Sequence, residues 1–154
     1  MDLVIIADQI IRELDNPDDL GIPNVVFWLS SNLSQLNLLC GTAYILDPLT
    51  QIPIPVLGDS EGAILKYLYF IHYYNKLIRS NLQAGAYDWS EMTEADSSIR
   101  RVSRNEIAKT YIQLKNALQI RLDRMMYLYR QDQALPVSLS AAHDLIRFYR
   151  NADN

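Results

Sequence analysis

Residues 96–130, DSSIRRVSRNEIAKTYIQLKNALQIRLDRMMYLYR, carry a short polar and basic segment into one long helical pattern. Ser103 and Glu106 stand at the S-x-x-E spacing of a capping box. In that motif the Ser hydroxyl oxygen accepts from the Glu backbone N–H, and the Glu carboxylate accepts from the Ser backbone N–H. From residue 104 to residue 130 there is neither Gly nor Pro. Roughly 27 residues of helix are therefore expected, about 40 Å at about 1.5 Å per residue. Ile107, Tyr111, Leu114, Leu118, Met125 and Leu128 recur at 4,3 spacing, interrupted at Arg121 with Leu122 beside the gap. Such a seam suits packing against a second long helix. A helix of that length is a scaffold for contacts.

The expected partner lies upstream. Asp59 or Ser60 opens a helical pattern to about residue 82 whose apolar positions cover most of the circumference, which requires burial on several sides. Tyr67, Tyr69, Tyr73 and Tyr74 bring large apolar bodies with a polar tip, a combination used at interfaces and also where a helix leaves a core. His72 has Lys76, not a second ligand, one turn on, so it reads as structural.

Before this pair, Leu3, Ile6, Ile10 and Leu14 mark an amphipathic helix over about 3–14, with Ile5 and Ile11 broadening its stripe. It ends in DNPDDLGIP, where Pro17 cannot continue a helix. Asp15, Asp18 and Asp19 there lack the register and the terminal Glu of a calcium loop. Pro23 suits a helix N1 position, and Val26, Leu29, Leu33, Leu36 and Leu39 or Cys40 predict one helix of roughly seventeen residues ending at Gly41. Phe27 and Trp28 beside that stripe read as core, with an interface as the alternative.

Pro48, Pro53 and Pro55 exclude a helix over 42–58 and confine any strand to an edge, so this segment is an extended Pro-rich loop or loose hairpin. Its Ile and Leu residues either pack across the bundle or reach a neighbouring subunit. Near 89–102, segments 89–93 and 98–102 pair as a small polar hairpin with its turn at 94–97. Arg100 and Arg101 lie exposed on the second arm and read as solvated or partner-facing. After Pro136, Ser140 caps a short helix bearing Leu145, Ile146, Phe148 and Tyr149. That face is too small for a core of its own, so the tail over 135–154 docks on the bundle or on something else.

The fold class expected is mainly α: a helical bundle over 1–134 with one long central helix, a small β-hairpin and the Pro-rich loop, followed by the tail. Its 154 residues suffice for one core without staples. Cys40 is the single cysteine, so it forms no internal disulfide and reads as a small buried hydrophobe. No basic n-region precedes the first apolar run, and Lys66, His72, Asn75 and Lys76 interrupt the longest ones. Neither a signal peptide nor a membrane span is expected, and the protein should be soluble.

Residues 1–62 hold nine acidic side chains against Arg12 alone, net −8, while residues 63–154 hold nine acidic against thirteen basic, net +4. The two sum to the overall −4, which argues against general nucleic-acid binding. The halves either are simply solvated or meet acidic to basic between neighbouring copies, as in rings and filaments. No phosphate loop, H-E-x-x-H, C-x-x-C or G-x-S-x-G occurs, and the carboxylate pairs Asp18/Asp19 and Glu91/Glu94 lie in polar segments. No enzymatic activity, cofactor or metal is expected.

RELDNPDDLGIP, FWLSSNLSQLN (27–37), EGAILKYLYFIHYYNKLIR (61–79) and DSSIRRVSRNEIAKTYIQLKNAL (96–118), in that order, resemble the head-to-tail connector, or adaptor, proteins of tailed bacteriophages. The likeness covers most of 3–130, and the Pro-rich 42–58 segment departs from it. It implies a helical virion subunit that forms a ring, commonly of twelve copies, at the neck, after assembly in the host cytoplasm. The ring would sit between the portal protein and a downstream neck or tail protein and continue the DNA channel, which DNA crosses without specific binding. It implies no catalytic residue, and it makes 135–154 the candidate portal-docking arm. Arg100, Arg101, Tyr73, Tyr74, Leu145, Ile146, Phe148 and Tyr149 are the candidate contact residues. The alternatives are another neck protein, such as a tail terminator or head-completion protein, or a non-viral helical partner-binding module with the Tyr-rich helix as its groove.

Overall fold

The computed structural model describes residues 1–85, 91–94, 97–100 and 104–134. In chain order the elements are α1 (Leu3–Glu13), α2 (Ile22–Ser31), α3 (Leu33–Cys40), β1 (Ile45–Leu46), β2 (Pro53–Ile54), α4 (Asp59–Gly85), β3 (Glu91–Glu94), β4 (Ser97–Arg100) and α5 (Arg104–Ala134). The chain is mainly helical, with small antiparallel hairpins and a long helix, α5.

α4 and α5, of 27 and 31 residues, run antiparallel. The start of α4 meets the end of α5 where the Tyr129 hydroxyl donates to Glu61 Oε1 at 2.8 Å, and further along Tyr74 stacks on Tyr111 at 5.9 Å. Asp59 and Glu61 in the first turn of α4 complement its helix dipole. α1, α2 and α3 lie against this pair and close one core, in which Leu3, Ile6, Ile10, Leu29, Leu36, Ile64 and Leu65 are fully buried. Each such side chain contributes about 1.5–3 kcal/mol by leaving water. Gly62 lies close to the start of the chain, where a Cβ would stand 3.2 Å from the flexible Met1 Sδ and in ordinary contact, 3.5 Å, with Ile6 Cδ1 of α1.

The single helix expected over 23–40 is two helices. Ser30 Oγ and Ser31 Oγ both donate to the Phe27 carbonyl at 2.8 Å, and Asn32 Nδ2 donates to the Trp28 carbonyl at 2.7 Å. These short polar side chains take carbonyls that the helix ladder uses, and Asn32, at φ −105° and ψ 11°, ends one helix and starts the next. Gly41, at φ 68°, closes α3 in the left-handed region. Phe27 is 73% exposed, not core, whereas Trp28 is half-buried against Tyr69. Ile5 is likewise exposed, so the buried face of α1 is Leu3, Ile6, Ala7 and Ile10. Cys40 is half-buried.

α5 has the expected length but a different seam. Ala108, Leu122, Met126 and Tyr129 are buried, with Tyr111, Lys115, Leu118 and Met125 half-buried between them, while Leu114 and Leu128 are exposed. The spacing is 3,4 rather than 4,3, and it passes through Leu122 without a break at Arg121. Lys115 is accommodated on this line by its aliphatic stem.

Strands β3 and β4 form a hairpin within the expected 89–102, pairing Glu91 with Arg100, but Glu94 and Ser97, expected in its turn, are themselves paired. Arg101, Ser103 and the whole tail, including Leu145, Ile146, Phe148 and Tyr149, lie outside the described residues.

Two substitutions separate the observed seam from the 4,3 alternative in urea denaturation. Leu122→Ala leaves a cavity and is expected to cost about 2–4 kcal/mol, whereas Leu114→Ala costs about 0.5 kcal/mol or less. Tyr129→Phe removes the bond to Glu61 and is expected to cost about 1 kcal/mol.

Candidate interaction surfaces

Between α3 and α4 the chain is aimed by one side chain. Asn37 Nδ2 donates to the Tyr44 carbonyl at 2.8 Å, while Asn37 Oδ1 accepts from Tyr44 N at 2.8 Å and Thr42 Oγ1 at 3.0 Å. Tyr44 is buried, and beyond it β1 and β2 form a finger with Ile45 opposite Ile54 and Leu46 opposite Pro53. Asp47 closes the tip. Its carboxylate accepts from Leu49 N at 3.0 Å and Thr50 Oγ1 at 2.6 Å, and its own N–H donates to the Ile52 carbonyl at 3.0 Å. The hydrogen bonds from Thr50 and Leu49 hold the Asp47 carboxyl below its ordinary value, so it stays ionised at neutral pH.

Strand alternation then divides the finger. Pro53 and Leu57 point inward and are buried, whereas Ile45, Ile52, Ile54 and Val56 point outward and are exposed, and Leu49 at the tip is 92% exposed. A continuous exposed apolar stripe of this kind has the composition that contact surfaces have. Its sequence signal is the period of two over Ile52, Ile54 and Val56, within the segment expected to be sticky.

Tyr73 and Tyr74, expected at an interface, are half-buried within the chain. They meet edge to face at 5.9 Å, and Tyr74 continues to Tyr111 of α5. Burial, then the charge of Asp19, raises the Tyr73 hydroxyl above its ordinary value, and burial pushes Tyr69 up to about 12. Beside them an open groove of about 470 Å³ runs between α1, α4 and α5. Its walls are Leu14, Tyr67, Phe70, Tyr74, Leu114 and Leu118, with Glu13 and Arg121 at its lips. Arg100 lies on β4 opposite Glu91, so the structure does not bring it together with the tyrosine cluster in one element.

On the opposite side His72 sits with its ring 5.0 Å from the Trp28 ring and 6.0 Å from Tyr69. Trp28 desolvates one face of an otherwise exposed imidazole, and Lys76 and Arg79 add positive charge, so its pKa is lowered. The half-buried Cys40 thiol is pushed up to about 11 by burial and then by Glu61. It is therefore a neutral thiol at physiological pH. Among the described residues no three His, Cys, Asp or Glu side chains gather as a metal site, and no helix is long and apolar enough to cross a membrane.

Because the folded protein binds a proton at His72 less readily than the unfolded chain, stability is fully present above the unfolded pKa, about 6.5, and is lost as pH falls toward the lower folded value. Thermal melts between pH 7.5 and 5 should show a small decline that His72→Gln flattens. Comparison with protein-family models, curated proteins and solved structures gives no match to this chain.

Proposed function

We propose that the protein is a structural subunit of a tailed-phage neck, a head-to-tail connector that assembles as a ring between portal and tail and continues the DNA channel. The observation that carries this reading is the relation of the strut to its contact surfaces. An antiparallel pair of helices, with about 40 Å in α4 alone, has the apolar β1–β2 finger before its first turn and the β3–β4 hairpin after its last. A long spacer bearing a contact element at each end suits a subunit that must touch one ring above and another below.

The resemblance of the segments within 12–118 to adaptor proteins supports the same reading, and the net charge of −4 suits a channel wall from which DNA must slide. The proposal gives the protein no catalytic step. The tail over 135–154 remains the proposed portal-docking arm. The groove beside Tyr67, Phe70 and Tyr74 favours a second reading, a partner-binding module that takes one apolar segment of a protein outside a virion.

The test is negative-stain imaging and native mass spectrometry of the purified protein, alone and with portal rings encoded by the same genome. A closed ring coaxial with the portal is expected, and a chain lacking 135–154 should keep its melting temperature while losing portal binding. A strictly monomeric protein that ignores portal rings would overturn the connector reading.

A further inference from the structure

Each copy carries an apolar projection and an apolar depression, on different parts of its surface. The projection is the β1–β2 finger, whose tip residue Leu49 is 92% exposed and whose Ile52 and Ile54 stand beside it on the outward face. The depression is the groove of about 470 Å³ between α1, α4 and α5, which has room for several side chains of leucine size. Their charges complement each other at one point, Asp47 of the finger and Arg121 of the groove. Asp47 and Asp59 are the only charged residues between 42 and 60. Of the groove's charged lining, Glu13 is held by Lys66 at 2.8 Å, and Arg121 belongs to α5, which carries six basic residues against Glu106, Asp123 and Asp132. The ion pairs Arg12–Asp8, Lys66–Glu13 and Lys76–Asp19 do not involve Arg121.

We infer that the finger of one copy seats in the α4–α5 groove of a second copy, with Leu49 against Phe70 and Leu114 and the Asp47 carboxylate toward Arg121. The two surfaces differ, so the contact is heterologous: it leaves a free finger on one copy and a free groove on the other, and it propagates until it closes. A bilayer is a poorer occupant, because the acidic flanks of the finger would be repelled by anionic headgroups. One such contact suffices to pair two copies at high concentration, and closure into a ring strengthens the assembly through effective concentration. The inference rests on the connector reading only for the closure of the chain of contacts.

The experiment uses two full-length variants whose changes lie at exposed positions: Leu49→Glu on the finger, and Leu114→Glu with Arg121→Glu on the groove. Circular dichroism melts check that each folds, and Arg121→Glu alone serves if the double variant melts early. Sedimentation velocity should show wild type growing beyond dimers with concentration and each variant remaining monomeric. The equimolar mixture should form one 1:1 heterodimer and nothing larger, because only one intact finger and one intact groove can meet. Wild type that stays monomeric, either variant assembling as wild type does, or a mixture that stays monomeric would each overturn the contact. Closed rings that persist in Leu49→Glu would remove this contact and leave the connector reading intact. Heterodimers from a protein that never binds a portal would do the reverse.

Discussion

Neither α4 nor α5 has an apolar face that could remain in water, and each supplies what the other lacks. α4 offers Leu65, Leu68 and Tyr69 on a helix apolar over most of its girth, whereas α5 offers only a narrow line through Ala108, Leu122, Met126 and Tyr129. A long helix with so thin an apolar line has little stability of its own, since propagation without tertiary packing is marginal. Their antiparallel seam therefore decides whether α5 exists at all. It also fixes where α1, α2 and α3 find a surface, because Leu3, Ile6, Val25 and Leu36 are buried in the same core as Ile64 and Leu65. At the end of the seam Tyr129 and Glu61 tie the last turns of α5 to the first turn of α4, beside the segment that enters the finger.

Charge is arranged around this seam in a way that net totals conceal. The acidic first part of the chain and the basic second part are joined within one subunit by Glu13 to Lys66 at 2.8 Å and Asp19 to Lys76 at 3.4 Å. Both pairs reach solvent, so each contributes about 0–1 kcal/mol and orients α1 and the following loop on α4 more than it holds them. Part of the asymmetry is thus neutralised at home. The cations left facing outward are concentrated on α5, opposite in sign to the finger.

Helical periodicity made α1, α4 and α5 legible, because in each the spacing of large apolar residues outweighs local polar chemistry. It failed at Asn32, where the decisive fact is a competition of Ser30, Ser31 and Asn32 for the carbonyls of Phe27 and Trp28, and hydrophobic spacing continues undisturbed across it. The seam of α5 was ambiguous for another reason. The lines through Leu114 and through Lys115 share Tyr111, Leu118 and Met125, and a pattern of apolar letters prefers Leu114, while the fold accepts the stem of Lys115. Of the candidate site, the aromatic cluster at Tyr73 and Tyr74 was visible, but its partner Tyr111 is a long-range contact that no local window contains. The stickiness of 42–58 was visible as well. Which residues face outward depended on the pairing of Ile45 with Ile54 and on the Asp47 turn.

The shared core reaches no farther than Tyr73 along α4 and begins at Leu118 on α5, while Ile78 and Ala108 are buried outside it. Beyond that line the two helices have mainly each other. Protection of backbone amides against exchange should therefore fall in steps from the finger end toward the β3–β4 end, as expected where cooperative units differ in packing. The helix pair is firm where the finger is anchored and yielding where the second hairpin is attached. A subunit built this way can adjust one end to a partner through local opening while the other end keeps its register.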